Sequence, residues 1–124
     1  MSNRFVRLSL FSGFNFTGRR LVFRRGGIAV RDLRVFQFND ILSSFRLVNV
    51  IIPGQVTLVL FRDINFQGSF RVFRGSQNVR DLRNFNFNNV TSSFILAGRN
   101  LTTSQINAIQ STGIMPTDIG IITG

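Results

Sequence analysis

The sequence predicts an all-β domain made of two copies of one strand-rich motif, and three observations carry that expectation. A pattern of about fifty residues occurs twice along the chain. Apolar and polar residues alternate in short runs, as side chains on opposite faces of a strand do. Clusters of Gly, Asn, Asp and Ser interrupt these runs roughly every ten residues, the punctuation of a sandwich or barrel.

The repeat is dense. Leu10-Phe11-Ser12-Gly13-Phe14-Asn15-Phe16-Thr17-Gly18 returns as Leu60-Phe61-Arg62-Asp63-Ile64-Asn65-Phe66-Gln67-Gly68. Val22-Phe23-Arg24 returns as Val72-Phe73-Arg74, and Val30-Arg31-Asp32-Leu33-Arg34 as Val79-Arg80-Asp81-Leu82-Arg83. The longest match sets Phe36 to Leu47 against Phe85 to Leu96, including Asn39-Asp40-Ile41-Leu42-Ser43-Ser44 against Asn88-Asn89-Val90-Thr91-Ser92-Ser93. Motif one spans about 4–48 and motif two about 55–97, joined by Pro53-Gly54. Val6, Leu8 and Leu10 alternate with polar or larger neighbours, and Val56, Leu58 and Leu60 repeat the set. Each copy therefore fits four strands, and the two copies pack face to face as two sheets. Gly18 and Gly68 recur where a hairpin needs positive φ or a surface free of side chains.

The domain is expected to cover 1–98, with 99–124 as a C-terminal extension, docked or flexible. From Arg99 the repeat ends and aromatics vanish. Thr102 or Thr103 can cap a short helix through Gln110, with Gly113 as its stop and Leu101, Ile106 and Ile109 as its apolar face. Ile114-Met115 and Ile119 to Ile122 are apolar enough to dock on the sandwich or on a partner.

Composition narrows the chemistry. The 124 residues contain no Cys and no His, which removes thiolate chemistry, disulfides and the commonest general base. Five Asp and no Glu leave little for acid–base catalysis, so an enzyme is not expected, nor a small-molecule substrate. All fifteen basic residues are Arg, giving a net charge of +10, which suits an anionic partner such as nucleic acid, anionic lipid or an acidic polymer. Equally, Arg keeps a surface rich in the fifteen Phe side chains soluble. No apolar run is long enough to span a bilayer. The N-terminus shows no apolar stretch followed by a small-residue cleavage site, so no signal peptide is read and a cytoplasmic location is the default expectation, with a spore or surface location as its alternative.

At this point the residues resemble the βγ-crystallin superfamily. Its Greek keys carry an aromatic, four residues, an aromatic, one residue and Gly, the spacing of Phe11…Phe16-Thr17-Gly18 and Phe61…Phe66-Gln67-Gly68. Microbial members add a loop Asn/Asp-Asn/Asp-x-x-Ser/Thr-Ser, similar to 39–44 and 88–93. The resemblance covers about 4–97 and implies a sandwich of two four-stranded Greek-key motifs with Ca2+ at two crossed sites. By the same likeness one site would use Asp40, Ser43 and the Arg62 carbonyl, and the other Asn89, Ser92 and the Ser12 carbonyl. Asn39 and Asn88 would orient the loops. Oxygen donors of these kinds are what the hard calcium ion takes, although Asn, Asp and Ser also make turns without any metal.

The sequence departs from the family just after the first aromatic, where an acidic residue is common and where Ser12 and Arg62 stand. With Asp40 as the only charge counted and Arg62 beside it, affinity is expected in the weak range, about 10⁻⁴ to 10⁻³ M or somewhat tighter. The expected function is a non-enzymatic calcium-binding structural or stress-type module, monomeric or weakly self-associating. The alternative is an arginine-rich module binding nucleic acid or another polyanion. Asp63 to Arg74 fails as an EF-hand loop because its twelfth position is Arg and its flanks read as strands. Asp32 and Asp81, each in an Arg-Asp-Leu-Arg setting, read as turn or ion-pair residues rather than catalytic carboxylates.

Overall fold

Val6, Leu8 and Leu10 turn into the core from strand β1 (Val6–Gly13), while Arg7 and Ser9 face out, as the alternation requires. The computed structural model describes residues 2–122. After β1 come β2 (Thr17–Phe23), β3 (Ile28–Val30), β4 (Ser44–Asn49), β5 (Thr57–Asp63), β6 (Gln67–Arg74), β7 (Gln77–Val79) and β8 (Ser93–Ala97). A helix α1 (Thr103–Thr112) and a last strand β9 (Gly120–Ile122) complete the chain. One sheet runs β2-β1-β4-β7 and the other β6-β5-β8-β3-β9. Each motif thus sends its third strand, β3 or β7, into the sheet of the other, so the two copies are interlocked Greek keys.

The facing sides of the sheets enclose one core, with Phe38, Phe45, Phe87 and Phe94 and the repeated leucines fully buried. Edge-to-face Phe pairs organise it, as in Phe45–Phe73 with centroids 4.9 Å apart and Phe23–Phe94 at 5.1 Å. The first hairpin of each motif is tight. Asn15 and Phe16, and their counterparts Asn65 and Phe66, hold left-handed backbone, with φ between 55° and 61°. For a Phe this conformation is strained. The second Ser of each Ser-Ser pair compensates. Buried Ser44 accepts from the Phe16 amide at 3.0 Å and donates to the Gly13 carbonyl at 2.6 Å, and Ser93 does the same for Phe66 and Asp63 at 3.1 and 2.6 Å. Gly18 and Gly68 follow at φ +80°, where a Cβ at Gly68 would lie 2.5 Å from Asp63 Oδ2. The expected positive φ is therefore the reason for both glycines.

Asp32 and Asp81 open short 3₁₀ turns (Leu33–Phe36 and Leu82–Phe85) by accepting the amides of Arg34 and Arg83. Each also holds its Arg in a forked ion pair, at 2.7 and 2.8 Å. Both are turn-forming, ion-paired residues, as their sequence context predicts.

The extension is docked. Thr102 and Gln105 form the reciprocal cap that starts α1, and Gly113 ends it at φ 73°. Leu101, Ile106 and Ile109 pack onto the outer face of the five-stranded sheet, against Val59, Phe61 and Ile95. Two features differ from the sequence expectation. Ile114 is 73% exposed and docks on nothing in the described chain. Gly120–Ile122 adds a ninth strand, parallel to β3, so the second sheet is mixed rather than antiparallel. The open edge of β3 takes the apolar end of the extension alongside, with Gly120 N–H donating to Gly27 O at 2.8 Å. A forked pair between Arg99 and Asp118, at 2.7 and 3.1 Å, fixes the return.

Ile106→Ala should lower stability by about 2–4 kcal/mol, since it opens a cavity under α1, whereas Ile114→Ala should change it by less than about 0.5 kcal/mol. Thermal melts of both variants check this. The hydrogen-bonded Arg partners hold the Asp32, Asp81 and Asp118 carboxyls below the ordinary value of 3.8. Their contribution to stability is therefore complete above that value and is lost as pH falls through the lower folded values. A pH series of melts should be flat near neutrality and fall below about pH 4.

Candidate metal centre

The two Asn/Asp-to-Ser loops lie side by side at the hairpin end of the sandwich and run past each other. Asp40 N–H donates to Thr91 O and Asn89 N–H to Leu42 O, both at 3.0 Å. Asp40 and Asn89 occupy equivalent left-handed positions, φ 59° and 58°, which short polar side chains tolerate. That twist turns each side chain toward the other motif.

The side-chain contacts follow the crossing. Ser92 donates its hydroxyl to Asp40 Oδ1 at 3.1 Å, and Ser43 donates to Asn89 Oδ1 at 3.1 Å. The sequence-based sets paired Asp40 with Ser43 and Asn89 with Ser92, so the serines are exchanged. The reason is where each serine is anchored. Ser43 N–H bonds Phe11 O at 2.9 Å and stays beside its own hairpin, as Ser92 does through Phe61 O at 2.9 Å. Asp40 N–H instead reaches across to Thr91 O, so its side chain meets the serine of the second motif.

The remaining candidates fall into place around this crossing. Arg62 lines a cavity of about 200 Å³ together with Asp40, Asp63, Asn89, Val90 and Ser92. Ser12 lies next to Phe11, which bonds Ser43, and its own hydroxyl accepts from Arg19 N–H at 2.7 Å. Asn39 and Asn88 are half-buried at the base of the loops, and the Oδ1 of each is buried without a hydrogen-bond partner among the described residues. Asp63 lies outside the ligand sets that the sequence implies. It stands one position beyond the place where the family carries its acid, yet the hairpin turns it into the same cavity as Asp40. Its signal was present: in the first motif the equivalent residue is Gly13, so the charge is added where the repeat departs from itself.

The donor set fits a calcium ion at the Asp40 crossing. Two carboxylates and a hydroxyl line one open cavity as hard oxygen donors, which they share with Arg62. Among the described residues no group of three or more His, Cys, Asp or Glu gathers anywhere, so a softer transition-metal site has no ligand cluster. The Asn89 crossing is poorer, with an amide and hydroxyls but no carboxylate.

The arginines lie over Phe rings rather than beside open ones. Arg46 sits 4.1 Å from the Phe16 centroid, Arg83 3.9 Å from Phe14 and Arg71 4.8 Å from Phe87. Those ring faces are taken by the chain's own guanidinium groups.

No protein-family model and no curated protein sequence matches the chain. Solved structures do. A βγ-crystallin domain described under the evolution of the eye-lens fold matches with a TM-score of 0.63 and 28% identity, over 78% of this chain and 88% of that one. A βγ-crystallin from Ciona intestinalis matches with a TM-score of 0.57 and 26% identity, over 72% and 96%. A βγ-crystallin domain from Flavobacterium johnsoniae shares the fold at 22% identity, with a TM-score of 0.56 over 77% and 98%. With its two interlocked Greek keys, its paired hairpins and these likenesses, the chain belongs to the βγ-crystallin superfamily.

Proposed function

We propose that this chain is a non-enzymatic structural module that binds Ca2+ and is braced by it. The observation that carries the proposal is the Asp40 carboxylate meeting the Ser92 hydroxyl across the motif boundary, in a cavity that Asp63 also lines. Asp40, Asp63 and Ser92 would hold the ion, with main-chain oxygens of the neighbouring hairpin, Arg62 included, completing the set. Bound there, the ion supplies positive charge that ties two carboxylates from different motifs together. Asn39 has a buried oxygen with no partner among the described residues and can take a water that the ion orders. Arg62 works against the ion by charge repulsion, and Asp63 offsets it.

The Asn89, Ser43 and Ser12 crossing is a second, weaker site, because charge count tunes calcium affinity and it has none. The stronger site is assigned a Kd of about 10⁻⁴ M. At millimolar calcium, binding to the folded state alone then adds about 1.4 kcal/mol, or roughly 5 °C in Tm. Magnesium gives up water reluctantly and should add far less.

Titration calorimetry on chelator-stripped protein tests the reading. Two unequal binding steps are expected. Asp40→Asn and Asp63→Asn should each weaken the stronger step by about tenfold, and Asn89→Asp should strengthen the weaker. Ser92→Ala should act on the same step as Asp40→Asn, and Ser43→Ala on the other. No heat and no rise in Tm at millimolar calcium would reject the proposal.

A further inference from the structure

The end of the sandwich opposite the metal centre carries an exposed apolar run that the fold does not use. Val50, Ile51 and Ile52, in the link between the motifs, are 57, 59 and 48% exposed, and Pro53 follows. Scattered apolar residues are normal on a surface, but three in a row at a turn are not. In the second motif the equivalent stretch reads Arg99-Asn100-Leu101, so the repeat does not demand the apolar residues.

The run is rigidly presented. Buried Asn49 accepts from the Ile51 and Ile52 amides at 3.2 and 3.0 Å and donates to Gln55 O at 2.9 Å. Pro53 O accepts from the Ser76 amide and hydroxyl at 2.8 and 3.0 Å, and Ile52 O from Gln55 N–H at 2.9 Å. These polar groups of the turn are thus satisfied within the chain, which is what a loop entering a hydrocarbon layer needs.

Basic charge surrounds it. Val50 N–H bonds Phe5 O at 3.1 Å, and Arg7 bridges the carbonyls of Arg4 and Arg24 at 2.8 and 2.6 Å, which brings the N-terminal segment and the β2–β3 turn to this end. Arg4, Arg24 and Arg25 are exposed on this side, while Arg7 and Arg74 are tied to main-chain carbonyls and Arg99 is paired with Asp118. The other four Asp all lie at the metal end, in the loops that follow β3 and β7 and at the end of β5.

From this juxtaposition we propose that the Val50-Ile51-Ile52 turn is a membrane-docking tip, entering the headgroup region of an anionic phospholipid bilayer while the flanking arginines hold the phosphate surface. An apolar wedge with a cationic collar matches such a surface in both layers. A second copy of the chain does not fit as well, because it would bring a second arginine collar against the first.

Co-sedimentation with phospholipid vesicles tests this. The protein should pellet with phosphatidylcholine vesicles carrying about one-third phosphatidylserine, and at least about tenfold more weakly with phosphatidylcholine alone. Binding should fall as salt rises, as screening shortens the reach of the arginines. Ile51→Asp should weaken binding by at least about tenfold, with Tm within about 2 °C of the parent because the side chain is exposed. Arg24→Gln with Arg25→Gln should weaken it roughly twenty-five-fold, about fivefold per charge. Chelating calcium should leave binding unchanged, since the metal centre is at the far end; this separates the tip from the calcium reading. Failure to pellet with the anionic vesicles, or pelleting that Ile51→Asp leaves intact, overturns the proposal. So does a dimer in sedimentation equilibrium that Ile51→Asp dissolves, which would assign the run to a second copy.

Discussion

The structure depends on a reciprocal exchange of backbone hydrogen bonds between the two motifs. Leu33 N–H reaches Ser92 O at 2.8 Å and Leu82 N–H reaches Ser43 O at 2.9 Å. Asn15 and Asn65 donate in the same crossed way to Arg80 O and Arg31 O, each at 2.9 Å. With β3 and β7 also exchanged, a single motif would leave these groups unpaired at its loop end and its third strand without a sheet. The repeat is therefore not two small domains side by side. It is one cooperative unit whose halves complete each other.

Much of this was legible because the repeat carries its own constraints. The alternation in Val6-Leu8-Leu10 fixes which face is buried, and Gly18 and Gly68 mark the hairpin turns. Of the two threonines the sequence offered as a helix cap, Thr102 is the one that starts α1, by a local rule that tertiary packing did not need to override. What escaped depends on the path of the chain between positions. Ser43 and Asp40 are close in sequence, yet Ser43 is held by the hairpin of its own motif while Asp40 bonds to the loop of the other. The ninth strand escaped for a related reason. Nothing in Gly120-Ile121-Ile122 tells which sheet edge it will meet, and the open edge of β3 exists only once motif one has crossed over.

The extension breaks the symmetry of the two sheets, and the sequence of each outer face follows its cover. On the covered sheet the outward positions are Ala29, Val59, Phe61, Ile95 and Ala97, buried under α1 and its flanks. Their counterparts on the open sheet include Asn78, Ser9, Arg46 and Val48, with Arg46 paired across the ladder to Ser9 and Asn78. Phe70 on the covered side is likewise matched by exposed Arg20 on the open side. Part of the arginine excess thus solvates a sheet face that its twin buries, which needs no ligand to explain it. Arg7, beside the Val50-Ile51-Ile52 turn, follows the same pattern, since its counterpart Thr57 is buried, whereas Arg24 and Arg74 are counterparts of each other and both exposed.

The crossing also decides how charge is shared between the two loop sites. Asp40 and Asp63 come from different motifs and from non-equivalent positions of the repeat, facing Asn89 and Gly13 in the other copy. If each loop closed against its own hairpin, Asp40 would face Gly13 and Asp63 would face Asn89, one carboxylate at each site. Because Asp40 turns toward the second hairpin, both carboxylates fall in one cavity and the other crossing is left neutral. Two single substitutions therefore produce a large inequality from a nearly symmetric scaffold. The neutral crossing keeps the Ser43 to Asn89 hydrogen bond as a structural clasp in its own right, while the Asp40 crossing sets two carboxylates beside Arg62 in one cavity.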